Sequence, residues 1–263
     1  MALSRRFAWV AVLVGGVVLF ELVRRALVQT QNPNLLPALL LVGATVVPVA
    51  FVTFWWGRRL ASSVPPGLLA FTALVGGVVG VVVAGTLEFD TMRDLGTLPL
   101  VLVGLIEESA KLILPLAVLL LAGRRTSPST GLLVGVASGA GFAALETMGY
   151  AFVTLISSRG DLSAVDGVLL LRGLMSPAAH MAWTGLTAAA LWTAATQGWT
   201  GRAIGRLALV FVVCVALHTT WDSTGTIWAY AVLSATSLAL LFATAHHLGD
   251  DAERRPVDGL ARA

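Results

Sequence analysis

Two adjacent carboxylates and one ammonium group interrupt an apolar stretch that is long enough to cross a lipid bilayer. Glu107, Glu108 and Lys111 fall within the run from about residue 98 to 122, and about 20 apolar residues suffice for a spanning helix. Each charge at the centre of such a helix costs about 2.5–3.5 kcal/mol on the insertion scale. Because charges at this depth usually serve a function, the three residues are candidates for chemistry.

Further polar residues lie in three later apolar segments. Phe142 and Glu146 are four residues apart and therefore share one face of a helix. His180 lies at the start of the next segment, and His218 and Asp222 are again four residues apart. Side chains with this spacing can face one point from neighbouring helices.

Carboxylates and histidines brought together in this way are suited to hydrolysis. A carboxylate in a partly dry site can act as a base on water, and histidines with carboxylates can hold a divalent metal such as zinc. Simpler interpretations also stand. Lys111 and Glu108 could form a structural ion pair, Asp222 could cap a helix or orient His218, and Phe142 could be a packing residue.

The composition predicts how these residues are positioned. Hydrophobic residues make up 57% of the 263, charged residues 12%, and the mean hydropathy is +0.87. These values predict an all-α, polytopic membrane helix bundle with about eight transmembrane helices, in a single transmembrane domain over residues 1–248. The eight apolar segments cover residues 7–23, 35–56, 67–87, 98–122, 130–156, 177–196, 203–222 and 226–247. A short cytoplasmic tail would follow at residues 249–263.

The arginines predict the orientation of the bundle. With the N-terminus inside, eleven arginines lie in cytoplasmic segments and five in outer ones, namely Arg24, Arg25, Arg93, Arg159 and Arg172. This bias places both termini in the cytoplasm. The arginines are spread between apolar runs and form no basic face, so nucleic acid is not an expected partner.

That orientation places the polar residues in the outer half of the bilayer. Glu107 and Glu146 would lie about 14–15 Å below the outer ends of their helices, at 1.5 Å per residue. His180 and His218 would lie four or five residues from theirs. Ser176 and Pro177 would cap and begin the helix of His180. The preceding segment, residues 159–176, could be a re-entrant or interfacial helix that serves as a lid or grips the substrate.

These motifs resemble those of the PrsW family of intramembrane proteases, within a larger group that includes the CAAX prenyl endopeptidases and the bacterial Abi (CPBP) proteins. The matching motifs are Glu107-Glu108-x-x-Lys111, Phe142-x-x-x-Glu146, His180 in His-Met-Ala-Trp-Thr-Gly, and His218-x-x-x-Asp222. They occur in family order and cover about residues 98–222, which is the expected catalytic core.

The resemblance implies a protease of the cell membrane that cuts a membrane-anchored protein, such as an anti-sigma factor, near the extracytoplasmic side. It implies that Glu107 activates water and that the catalytic site also contains Glu108, Glu146, His180 and His218, with support from Lys111, Asp222 and Phe142. A divalent metal, by preference zinc, would be held by Glu146, His180 and His218. A metal-free site with glutamate-activated water is the other arrangement.

Two other functions fit a membrane bundle with buried polar residues. A proton-coupled transporter would need ionisable groups in both leaflets, and the inner halves of these segments are nearly free of them. A catalytically inactive scaffold or membrane chaperone of the same fold would not need the complete set of motifs.

Overall fold

The computed structural model describes residues 2–58, 64–122 and 126–260, and the side chains of residues 5–58, 64–121 and 126–249. The described residues form ten α-helices and two short 3-10 turns, and no strand occurs among them. The helices are α1 (Ala2–Thr30), α2 (Leu36–Trp56), α3 (Pro66–Leu95), α4 (Leu100–Lys111), α5 (Ile113–Ala122), α6 (Pro128–Ser157), α7 (Leu162–Met175), α8 (His180–Thr196), α9 (Gly201–Ser223) and α10 (Ile227–Leu260).

The prediction of an all-α polytopic membrane bundle is confirmed. Within the described ranges, seven helical segments are long and apolar enough to cross a membrane. The fourth predicted span is absent from that set because it is divided into α4 and α5, each too short to span alone. Of the predicted tail, residues 261–263 and the side chains from residue 250 onward lie outside the described part, as do Arg59, Arg124 and Arg125 of the predicted cytoplasmic loops.

A proline explains the division between α4 and α5. Pro115 has no backbone N–H to offer the carbonyl of Lys111 one helical turn earlier, and its ring crowds that carbonyl. The helix is interrupted at Leu112. The hydroxyl of Ser138, on α6, donates a hydrogen bond to the freed carbonyl of Lys111 at 2.8 Å. The interruption therefore comes directly after the last charged residue of the Glu107 motif.

A second interruption precedes His180. The expectation that Ser176 and Pro177 cap and begin the helix of His180 was wrong, because that helix begins at His180 itself. The segment from residue 159 to 176 contains an ordered helix, α7, which joins α8 through a 3-10 turn at Ser176–Ala178. Together they form one apolar segment, Leu162–Thr196. Ser176 does not cap α8, because its hydroxyl donates to the carbonyl of Arg172. His180 therefore lies in the middle of a broken spanning segment and not near its outer end.

Helix α6 is the centre of the bundle because glycines let two neighbours approach its backbone. A Cβ atom at Gly131, Gly135 or Gly139 would meet backbone carbonyl oxygens of α8, including that of His180. On another face, Gly141 lies against Gly77 of α3 in the same way. Small residues at four-residue spacing are the usual means of close helix packing in membranes. These glycines of α6 bring the first turn of α8 close to the part of α6 that carries Glu146.

Candidate active site

The three charged residues of α4 form a compact buried cluster. Lys111 Nζ donates to Glu108 Oε1 at 2.8 Å and to Glu107 Oε2 at 3.4 Å. Glu108 and Lys111 are almost fully buried, at 1% and 0% exposure, whereas Glu107 retains 7%. Lys111 is the single lysine of the chain. Its compact ammonium provides three donors, so one residue can serve several acceptors at once.

His180 lies between Lys111 and Glu146. Lys111 Nζ is 2.7 Å from His180 Nδ1, and because an ammonium can only donate, Nδ1 is the acceptor. The other ring nitrogen, Nε2, then carries the proton, and it lies 2.9 Å from Glu146 Oε2. Phe142 packs against Lys111 and His180, with its ring centre 4.6 Å from Lys111 Nζ and 5.4 Å from the centre of the His180 ring.

His218 is the second imidazole of the site and is 2% exposed. Its Nδ1 donates to Glu108 Oε1 at 2.8 Å, so Nε2 faces Glu107 Oε2 at 3.5 Å and Asp222 Oδ2 at 3.4 Å. Stacking on Trp183, with ring centres 5.0 Å apart, fixes the plane of the imidazole. The closer orienting carboxylate is that of Glu108, and Asp222 lies at the more exposed edge.

The structure brings all eight predicted site residues together, and it adds one that sequence reasoning assigned only to an outer loop. Arg172, in the last turn of α7, places Nη2 2.7 Å from Glu146 Oε2, and its guanidinium lies 4.0 Å from the centre of the Tyr150 ring. The signal in the sequence was weak: an arginine directly after a short apolar run, in a segment interpreted as a break between spans.

The site contains a group of side chains suited to hold a metal ion, and its composition differs from the predicted one. Glu107, His180 and His218 each offer a ligand atom within 4.8 Å of the others. Glu146, which was expected as a ligand, instead contacts Arg172 and His180. One carboxylate and two imidazoles form a donor set typical of catalytic zinc. The hydrogen bond from His218 to Glu108 is the outer contact that such ligands usually make, so the residues fit a divalent ion by donor type and by grouping.

The apolar helices, the buried acid–histidine cluster and its position between four helices agree with a comparison against known families. The model of the family described as PrsW family intramembrane metalloprotease matches residues 47–246, about three quarters of the chain. Searches of curated proteins and of solved structures found no match. The matched region contains every residue of the cluster, and this chain therefore belongs to the PrsW family of intramembrane metalloproteases, which makes it a multi-pass membrane peptidase.

Proposed function

We propose that the protein hydrolyses a peptide bond of a membrane-anchored protein near the extracytoplasmic side of the cell membrane, with Glu107 activating the attacking water. One observation carries the proposal. The carboxylate of Glu107 is the point that the residues of three helices share, since Oε2 lies 3.4 Å from Lys111 Nζ, 3.5 Å from His218 Nε2 and 3.9 Å from His180 Nδ1.

Glu107, rather than its neighbour, is suited to be the base. A single oxygen of Glu108 accepts hydrogen bonds from both Lys111 and His218, so this carboxylate is committed to holding them. Glu107 makes one longer hydrogen bond to Lys111 and is the more accessible of the pair. It can therefore accept a proton from water, while Lys111 remains close enough to stabilise negative charge that develops on the scissile carbonyl.

The two histidines have separate roles in this proposal. His218 presents Nε2 beside Glu107, where it can exchange a proton with the reacting groups and pass one to the leaving amine. His180 presents the lone pair of Nδ1 towards Lys111 and so holds the ammonium over the site. Asp222 lies beside His218 Nε2 at the mouth of the cluster, where it supports the imidazole when that ring carries a charge.

Glu107, His180 and His218 are the residues grouped to hold the divalent metal that the family description implies. Such an ion supplies an acidified water molecule. With an ion bound, Glu107 would be one of its ligands and the ion would acidify the water. Without a metal, Glu107 itself is the base that takes the proton from water. The alternative set of Glu146, His180 and His218 is not grouped in this way among the described residues. Lys111 competes for Nδ1 of His180, the nitrogen that faces Glu107, whereas Nε2 faces Glu146.

The substrate class follows from the surroundings of the site. The polar cluster is enclosed by helices with apolar outer faces, so a substrate reaches it from the bilayer as a membrane-anchored chain. We propose a single-span protein, for which an anti-sigma factor is the example suggested by the family resemblance. The excess of arginine on the opposite side supports an extracytoplasmic position of the site.

The proposal is tested by exchanging Glu107 for Gln and measuring cleavage of a cognate single-span substrate in reconstituted vesicles. Glu107→Gln removes the proton acceptor while keeping size and polarity, so cleavage should fall at least about 100-fold. Glu21→Gln, at an exposed carboxylate of α1, is the matched control and should cleave normally. Normal cleavage by a folded Glu107→Gln protein would remove Glu107 from the mechanism, whereas no cleavage by the wild type would favour an inactive scaffold.

A further inference from the structure

Arg172 is a charged group at the site that the sequence motifs do not include. Its guanidinium forms an ion pair with Glu146 at 2.7 Å, and the same oxygen of Glu146 lies 2.9 Å from His180 Nε2. His180 in turn accepts from Lys111 through Nδ1. Arg172 is thus the outer end of a continuous chain of contacts that leads through Glu146 and His180 to Lys111.

Helix α7 holds Arg172 in a fixed position. Val165 and Leu169 are buried against α2 and α6 in an apolar cluster. At the other end of α7, Asp166 accepts a hydrogen bond from Arg24 of α1 at 2.6 Å. The helix is therefore anchored by an apolar face and by an ion pair that has no contact with the active site. Its last turn delivers the guanidinium to Glu146.

We propose that Arg172 is a positioning residue for the peptidase reaction, which holds the Glu146 carboxylate against Nε2 of His180 and so fixes the orientation of that imidazole. The inference rests on the proposed function, because His180 matters only if the cluster is catalytic. Nδ1 of His180 accepts from Lys111, and Nε2 lies at ion-pair distance from the Glu146 carboxylate, so a charged group faces each ring nitrogen and favours one orientation of the ring. Without Arg172, the carboxylate of Glu146 loses the ion pair that holds it on the His180 side, and the ring loses its second contact.

The first test uses nuclear magnetic resonance of protein labelled with ¹⁵N-histidine and needs no substrate. The chain has four histidines, and a His180→Gln variant assigns the signals of His180. We expect a slowly exchanging Nε2 proton on His180 in the wild type and in Asp166→Asn, and a rapidly exchanging one in Arg172→Met. Asp166→Asn is the matched control because it removes the other ion pair of α7. An unchanged His180 signal in folded Arg172→Met would overturn the proposal, as would loss of that signal in Asp166→Asn.

The second test separates turnover from binding. Arg172→Met should lower kcat at least ten-fold, the usual effect of losing a contact that orients a catalytic histidine, with KM changed less than two-fold. Arg172→Lys should retain part of the activity because it keeps a cation near Glu146. In a Glu146→Gln background, Arg172→Met should lower kcat by less than a further two-fold, since the arginine acts through that carboxylate. Full additivity of the two substitutions would contradict the proposal.

The two tests distinguish the failure of this inference from the failure of the proposed function. If the wild type cleaves no membrane-anchored protein while the His180 signal still depends on Arg172, the positioning contact stands and the peptidase proposal fails. If cleavage depends on Glu107 but neither kcat nor the His180 signal depends on Arg172, the peptidase proposal stands and this inference fails.

Discussion

At the scale of single residues, the site depends on one lysine that serves three partners. Lys111 contacts Glu107, Glu108 and His180 within 3.4 Å. The motifs could be predicted from the sequence because residues three or four positions apart share a helix face. The contact of Arg172 with Glu146 could not be predicted from the sequence, because it depends on the fold of a segment that interrupts the pattern of apolar spans.

The residues that hold a divalent metal can be identified with cobalt, which reports its own coordination. If Glu107, His180 and His218 are the ligands, Co²⁺ added to purified protein should give the visible absorption of a low-coordinate site, and His218→Ala should abolish it. Glu146→Gln should leave that absorption in place, because Glu146 is outside this group. Loss of the Co²⁺ absorption in Glu146→Gln but not in Glu107→Gln would instead identify Glu146, His180 and His218, the ligands predicted from the sequence.

At the scale of elements, both helix interruptions adjoin residues of the candidate site. The break at Leu112 follows Lys111, and the turn at Ser176–Ala178 precedes His180. The apolar segments were visible in the sequence, but these interruptions were not, because hydropathy does not register where a helix breaks. Pro115 was the available signal for the first break. For the second, Pro177 suggested a helix start that lies three residues before the real one.

Ser138 should be worth more to stability than an ordinary hydroxyl, because it satisfies the carbonyl that Pro115 leaves open. Ser138→Ala should lower the free energy of unfolding in mixed micelles by about 1–3 kcal/mol, the cost of an unpaired buried carbonyl. Adding Pro115→Ala supplies a backbone N–H for the same carbonyl, so the double variant should recover part of the loss.

Ser109→Ala is the matched control, since this exposed hydroxyl bonds a carbonyl within the continuous part of α4. It should change the free energy of unfolding by less than about 0.5 kcal/mol. Equal losses in the Ser138 and Ser109 variants, or no recovery in the double variant, would contradict this explanation of the break.

At the scale of the whole molecule, the site lies towards the end of the bundle where α3, α6 and α9 finish and α4 begins. This arrangement follows from alternating spans and was predictable from the sequence. The packing of the helices around the site was not predictable, because the contacts that the α6 glycines make with α8 and α3 depend on which helix faces meet. The side of the membrane that this end occupies is predicted by the arginine distribution.

Cysteine labelling tests the orientation. With an impermeant maleimide on intact cells, Ser157→Cys should react and Gln197→Cys should react only after lysis, because these exposed positions flank the Leu162–Thr196 segment, one before it and one after it. The native Cys214 is fully buried and should stay unlabelled in both. The reverse labelling pattern would place the site on the cytoplasmic side.

The most direct measurement compares the protein N-termini in membranes of the native host that express the wild type or Glu107→Gln. New termini should appear only with the wild type, within single-span proteins and near the extracytoplasmic end of their spanning segments. The same termini in both membranes, with both proteins folded and equally abundant, would contradict the proposal that hydrolysis of the substrate depends on Glu107.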